Sequence, residues 1–317
     1  MRKPAIALVA LLASSASAQS FPSKPVHIVV AFPPGGGTDI VARLIGPRLA
    51  EAWGQQVIVD NRAGASGTIG TEFAARSAAD GSTLFMGTLG NLAVNQHLYP
   101  KMAVDPLRDF APVTQVVAVH FVMVANPSLP ARSVAELIAL ARSQPGKINY
   151  SSSGPGGAPH LAGELLKSMA KVDIVHIPYK GSAPSFQDLL GGRVSFTCDS
   201  LVQALPYIRD GRLVALAVLG ASRTPLLPGV PTVGETLPGY ELTNWFGLVA
   251  PAATPGATIA KIHADVAKVL KDPAISEKLS AMGATAIGNA PEQFRAVMRA
   301  DSEKWGRLIR EAQIKAE

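Results

Sequence analysis

The chain has 317 residues, one cysteine and a formal net charge of +6, with 48% hydrophobic and only 6% aromatic residues. A single thiol excludes an intramolecular disulfide framework, so stability must come from packed cores, and the length suffices for two. The basic residues are scattered, with no Lys/Arg block and no aromatic ladder of the kind that reads nucleic acid. The mild excess, +4 without Arg2 and Lys3, suits an anionic small ligand.

Met1-Arg2-Lys3, an apolar run from Ala5 to Ala13 and the small residues Ala16-Ser17-Ala18 form a secretory leader over residues 1–18. The run is shorter than the roughly 20 residues a bilayer span needs. Cleavage is expected after Ala18, leaving the mature chain in the periplasm. Val26–Phe32 is nearly all apolar, as a strand covered on both faces is. Pro33-Pro34-Gly35-Gly36-Gly37 stops it, and a helix follows from Thr38 or Asp39 to Gly54, with a kink expected at Pro47. The unit recurs: strand Val57–Val59, a Gly-rich turn, and a helix from Thr68 to about Ala79, then strand Thr83–Met86 and Gly87–Asn91.

Val116–Ala125 is a long extended apolar segment. Ser133 and Glu136 have the spacing of a capping box at a helix start. Strand Ile148–Tyr150 leads into Ser151–Gly157 and a helix from about Pro159. Strand Ile174–Ile177 leads into a helix over Ser182–Leu190. Strand Val194–Thr197 leads into Asp199-Ser200 and a helix to Asp210, and Leu213–Leu219 is a further strand. Trp245–Ala250 is a second extended apolar segment, and the tail from about Pro255 is helical. Alternating strands and helices argue for α/β layers around parallel sheets. Two sets of the unit with two extended connectors predict two lobes, 19–121 with 245–317 and 122–244.

Open α/β sheets bind ligands beyond the carboxyl ends of their strands, where helix N-termini present free N–H groups and a partial positive charge. Such donors hold a carboxylate without any arginine. That edge carries Gly35, Gly36, Gly37 and Thr38; Gly64, Ser66, Gly67 and Thr68; Thr88 and Gly90; and Ser152, Ser153, Gly156 and Gly157. The segment ending Thr38-Asp39 lacks the lysine of a phosphate loop, and Asp39 there opposes a phosphate; its own expected place is the first turn of the helix. No two histidines have a zinc-ligand spacing, no G-x-S-x-G elbow occurs, and no metal or cofactor is expected. Ser153, His160 and Asp199 can be drawn as a triad, but three polar residues on pocket loops are equally expected of a binding cleft, and the reading is not an enzyme. His160 stands between packing or capping and ligand contact. Asp199 stands between accepting backbone N–H bonds and meeting a ligand amine or a bridging water. Lys180 reads as a solvated loop charge or a residue facing the anion.

Several segments together resemble one family. They are Phe32–Asp39, Asp60-Asn61-Arg62 with the Gly-rich loop after it, Ala79-Asp80-Gly81, Tyr150–Gly154, His160–Glu164, Ile177–Pro184 (which includes Tyr179), Asp188–Gly192, Val230-Pro231-Thr232 and Trp245–Leu248. In order and across the mature chain, they resemble the receptors of tripartite tricarboxylate transporters, the Bug family. The resemblance implies a two-lobed, type II periplasmic-binding-protein (Venus-flytrap) fold, usually monomeric. It also implies capture of a small mono-, di- or tricarboxylate or acidic amino acid for a membrane permease with a large and a small subunit. One carboxylate is then expected at Pro34–Thr38 and Gly64–Thr68, with the rest of the ligand meeting Thr88, Ser152, Ser153, His160 and Asp199. The chain departs from relatives at Gly90–Asn95 and at Cys198-Asp199-Ser200. Both lie at ligand-facing loops, so the departures bear on substrate. Two other roles compete: a sensor partner for a membrane kinase, and a hydrolase or isomerase on the same fold.

Overall fold

The structure is a computed structural model that describes residues 21–99, 101–311 and 313–315. The expected leader lies outside the described residues. The first three strands are β1 (Val26–Val30), β2 (Val57–Asn61) and β3 (Thr83–Thr88), followed by β4 (Phe110–Val119). A second group follows: β5 (Phe121–Ala125), β6 (Asn149–Ser152), β7 (Val175–Pro178), β8 (Phe196–Ser200) and β9 (Val214–Val218). The chain then returns with β10 (Asn244–Pro251) and β11 (Ala284–Ala286). One sheet has the order β11-β4-β10-β3-β1-β2, the other β7-β6-β8-β5-β9. No described helix is long and apolar enough to cross a membrane.

Parallel pairing joins β1 to β2 and β3, and β6 to β7 and β8. The strand that has just crossed from the other half runs against its neighbours: β10 against β3 and β4, and β5 against β8 and β9. The chain therefore weaves each lobe's sheet around one strand entering from the other lobe. The long segment Val116–Ala125 is accordingly two strands in two sheets, broken at His120. The backbone of that residue is held from both sides. Its N–H donates to Gly283 O at 3.0 Å, and its carbonyl accepts from Leu201 N at 2.8 Å. The return crossing is tied by Leu242 N–H to Leu219 O and by Leu219 N–H to Phe121 O, both 2.9 Å.

Burial explains the strand sequences. β1 and β10 are covered on both faces and carry apolar side chains at successive positions. The helix Gly37–Trp53 buries Val41, Ile45 and Leu49 on the first sheet and ends at Gly54, whose φ of 62° closes the cap with a bond to Ala50 O. It runs unbroken past Pro47. Ser133 caps the helix Val134–Ser143 as its spacing predicts, but Glu136 reaches back to the N–H of Arg132, one residue before the cap. The helix Thr68–Ala75 stops one turn early, where Ser77 N–H bonds to Ala74 O and the chain tightens toward the Asp80–Ser82 turn. A further element that periodicity did not signal follows β3: a wide π-type turn over Gly90–Val94.

Candidate functional site

The carboxyl ends of β1, β3, β6 and β8 point into one cleft between the two sheets. Its walls include Gly36, Gly37, Thr38 and Thr88 from the first lobe and Ser153, Gly157, Ala158, Ser182, Asp199 and Ser200 from the second. Four helices begin there: Gly37–Trp53, Ala158–Ala170, Ser182–Leu190 and Leu201–Arg209. The first three have glycine at the N-cap (Gly36, Gly157 and Gly181) and no side chain capping them. Away from the cleft, three helix starts are closed by side chains, Asp105 taking Leu107 N–H, Ser133 taking Glu136 N–H and Asp272 taking Ala274 N–H, whereas those after Gly67 and Pro255 are not. A glycine cap leaves the first-turn N–H groups without an intrachain acceptor, and each helix adds about half a unit of positive charge at that end. Among the described residues, no lysine or arginine lines the cleft. The arrangement offers an anion hydrogen bonds and a positive potential without a formal counter-charge.

Among the described residues, Asp199 is the one ionisable residue in the wall, 3% exposed. Its Oδ2 accepts from Ser182 Oγ at 2.6 Å and its Oδ1 from Ser200 N–H at 2.6 Å. Burial pushes its carboxyl up to about 6, with the Ser182 and Ser200 hydrogen bonds pulling the other way. Phe32, Phe121 and Phe246 supply the apolar surface between these polar groups, and Asn244 completes the wall at the first residue of β10.

The two lobes touch around the cleft. Tyr99 donates its hydroxyl to Pro155 O at 3.0 Å, across the lobes. Gly90 packs on the Gly156 carbonyl so closely that a Cβ there would sit 3.0 Å from the oxygen, which is why a glycine occupies that point. Gly181, at φ +138°, lies against Pro33. Ser66 Oγ lies against the Gly154 turn.

Of the residues singled out from sequence, Gly36, Gly37, Thr38, Thr88, Ser153, Gly157 and Asp199 are brought together in the cleft wall. The others stand beside it. Asp39 turns back on its own loop, accepting from Gly35 N–H at 2.9 Å, Arg43 Nε at 3.0 Å and Asn61 Nδ2 at 3.0 Å. Burial raises its pKa, but Arg43, the Gly35 amide and Asn61 outweigh that and hold the carboxyl below the ordinary value. Pro34 and Gly35 are exposed in the same turn. Thr68 bonds Ala65 O, and Gly64 and Gly67 shape the turn between them. Ser152 Oγ pairs with His176 Nε2 at 2.6 Å. His160 accepts Gly156 N–H on Nδ1 at 3.1 Å and stacks on His176 with ring centres 4.4 Å apart. Tyr179 donates to Asp188 Oδ2 at 2.7 Å. The drawn triad does not assemble: Asp199 pairs with Ser182 and Ser200, while His160 pairs with the backbone of its own loop.

Sequence reasoning passed over Ser182, Ser200, Asn244 and the phenylalanines. Ser182 carried a signal, since it opens a helix directly after a strand–glycine turn. Asn244 and Phe246 carried none, because they reach the cleft only through strand insertion. The Asn91 and Asn95 departures act as scaffolding. Asn91 Oδ1 takes the Thr88 hydroxyl at 3.0 Å, and Asn95 Nδ2 holds Ser66 O at 3.3 Å.

The profile of the tripartite tricarboxylate transporter family receptor matches residues 41–314. The chain belongs to this family. A Pseudomonas sp. protein from the tcbD-tcbE intergenic region is 38% identical over 313 residues, covering 97% of this chain and 93% of the relative. Bordetella pertussis BugT is 37% identical over 306 residues, covering 96% and 94%. Among solved structures, an R. palustris protein with adipate superposes with a TM-score of 0.91 at 39% identity, covering 93% of this chain and 99% of that one. The periplasmic binding protein BugD gives 0.90 at 33% identity, covering 94% and 100%. The malate-bound MatC of Rhodopseudomonas palustris gives 0.88 at 33%, covering 91% and 100%. The two-lobed receptor architecture expected from the sequence is thus the fold of this family member.

Proposed function

We propose that this receptor is a periplasmic protein that closes on a small carboxylate between its lobes and hands it to a membrane permease with a large and a small subunit. One observation carries the reading: three glycine-capped helix starts and the Ser200 helix start open on one cleft that, among the described residues, no lysine or arginine lines. Helix N-termini favour anions, and a buried carboxylate left without donors is very costly. The adipate and malate in the related structures support the same class of ligand. The carboxylate sits against the first-turn amides of Gly37 and Thr38, with the Ala158 and Ser182 helix starts closing over it from the second lobe. The lobe division 19–121 with 245–317 and 122–244 fits a hinge at His120 and before Asn244. As ligand preferring the closed form pulls the lobes together, the Tyr99 and Gly90 contacts form only in the closed state.

A thermal-shift screen of carboxylic acids against neutral sugars tests the class. Acids should raise the melting temperature, since a ligand that binds the folded state stabilises it in proportion to its affinity. Shifts from sugars alone would refute the carboxylate reading.

A further inference from the structure

A recess on the far side of the first lobe from the cleft gathers polar groups that the fold leaves without partners. β10 runs antiparallel to β3, so its carboxyl end at Pro251 lies at the sheet edge opposite Thr88 and the cleft. The 15-residue helix Gly256–Leu270 begins shortly after that end, with Pro255 at its N-cap and no capping side chain. Thr254, Gly256 and His263 line a recess of about 420 Å³ there, and the start of the 21-residue helix Pro291–Glu311 adds Pro291, Glu292 and Arg295 to the same wall. Two helix N-termini, each with a partial positive charge, thus open on one space.

Thr254 is 6% exposed, and its Oγ1 has no hydrogen-bond partner in the protein. The buried Nε2 of His263 has none either. A buried polar atom left unpaired costs stability, and native proteins keep few of them. Neither residue serves the cleft, since neither lines it. Arg295 donates Nη1 to the Leu107 carbonyl at 3.4 Å and, among the described residues, forms no ion pair. Glu292 is the opposing charge; it is exposed and stands in the first turn of its own helix, where the helix end favours it. The first-turn amides of Gly256, Ala257 and Thr258, the Thr254 hydroxyl, the His263 ring and the Arg295 guanidinium together supply more donors than the two oxygens of a carboxylate accept in one place. They match a tetrahedral oxyanion, which has an oxygen for each side of the recess.

We propose that this recess is a second anion site, which takes a phosphate group as the free ion or as the head of a small phosphate monoester. The phosphate oxygens accept from the amides of Gly256, Ala257 and Thr258, from the Thr254 hydroxyl and from the fork of Arg295. The site is independent of the carboxylate cleft. All of its residues lie in the first lobe and none lines the cleft, so opening of the lobes leaves it whole.

The test is calorimetric titration of the full mature chain with inorganic phosphate and, separately, with glycerol phosphate, at an ionic strength held constant with chloride. One saturable site should appear, with a matching rise in melting temperature. Binding of both probes marks the monoester head as sufficient, binding of inorganic phosphate alone marks the free ion, and either supports the site. Thr254→Val and Arg295→Ala should each weaken binding by about tenfold or more, and Glu292→Gln should tighten it about twofold or more. Without phosphate, Thr254→Val should unfold at an equal or higher urea midpoint, because a methyl replaces an unpaired hydroxyl, so its loss of binding is not a loss of fold. The absence of both heat and a melting shift up to about 10 mM phosphate would overturn the proposal. Saturable binding that all three variants leave unchanged lies elsewhere on the chain and would overturn it equally. Both results leave the carboxylate reading of the cleft standing, which the acid screen tests by itself.

Discussion

Asp39 links the sequence of the glycine turn to the shape of the cleft, and replacing it with alanine isolates that link. The carboxylate holds Gly35 N–H, Arg43 and Asn61 together, fixing the turn that presents Gly36, Gly37 and Thr38. Bonds to a charged acceptor are worth about 1.5–3 kcal/mol when buried. The Arg43 side chain is 50% exposed and recovers water when released, so its share falls to about 1 kcal/mol or less. Asn61 keeps its bond to Phe32 O at 3.0 Å, and the exposed Gly35 amide also finds water. The net loss for Asp39→Ala is therefore about 1–3 kcal/mol, not the sum of its bonds. Ligand affinity should fall further than stability, by about tenfold or more, because the amides of a loosened turn must be re-ordered on binding. Urea unfolding gives the first quantity, and titration with a carboxylate found in the thermal-shift screen gives the second. Stability within about 0.5 kcal/mol of wild type together with unchanged affinity would refute the idea that this carboxylate shapes the site.

Tyr99→Phe removes the hydroxyl that reaches Pro155 O across the lobes, so affinity should drop about two- to tenfold with unfolding stability nearly unchanged; equal losses in both would place the bond outside lobe closure. Gly163→Ala pushes a Cβ far inside contact with the Tyr150 ring in the second-lobe core. The clash should cost about 1–3 kcal/mol and exceed the roughly 1 kcal/mol that alanine gains in a helix, so a urea midpoint that rises would show the ring moving freely. His160 and His176 are held down by burial to about 4 and about 3. An unfolded histidine takes its proton near 6.5, so the unfolded state binds more protons across that window. Stability is full above it and should fall as pH drops toward 4, by up to about 1.4 kcal/mol per pH unit for each ring. Urea midpoints measured across that range check this, and a flat profile would contradict the burial of both rings.

The sequence by itself determined the α/β alternation, most helix starts and the Gly36–Thr38 and Gly157 turns. These are local: a run of buried apolar residues, a glycine or proline stop and a helical period fix φ and ψ within a few residues. It placed Gly36, Gly37, Thr38, Thr88, Ser153 and Asp199 among the candidates for the same reason, since residues after a strand's carboxyl end lie on one edge of its sheet. Tertiary structure alone decided which turns meet. Val116–Ala125 reads as one extended stretch, yet His120 splits it between two sheets because its amide and carbonyl bond to Gly283 and Leu201, residues distant in sequence. Asn244 and Phe246 enter the cleft on a strand inserted antiparallel between β3 and β4, a pairing with no local signature. Asp39, Ser152 and His160 look much like Asp199 and Ser153 in one dimension. Only the packing of their neighbours turns the former into braces and leaves the latter facing the cleft, because a polar side chain's partner is set by what folding brings within about 3 Å of it.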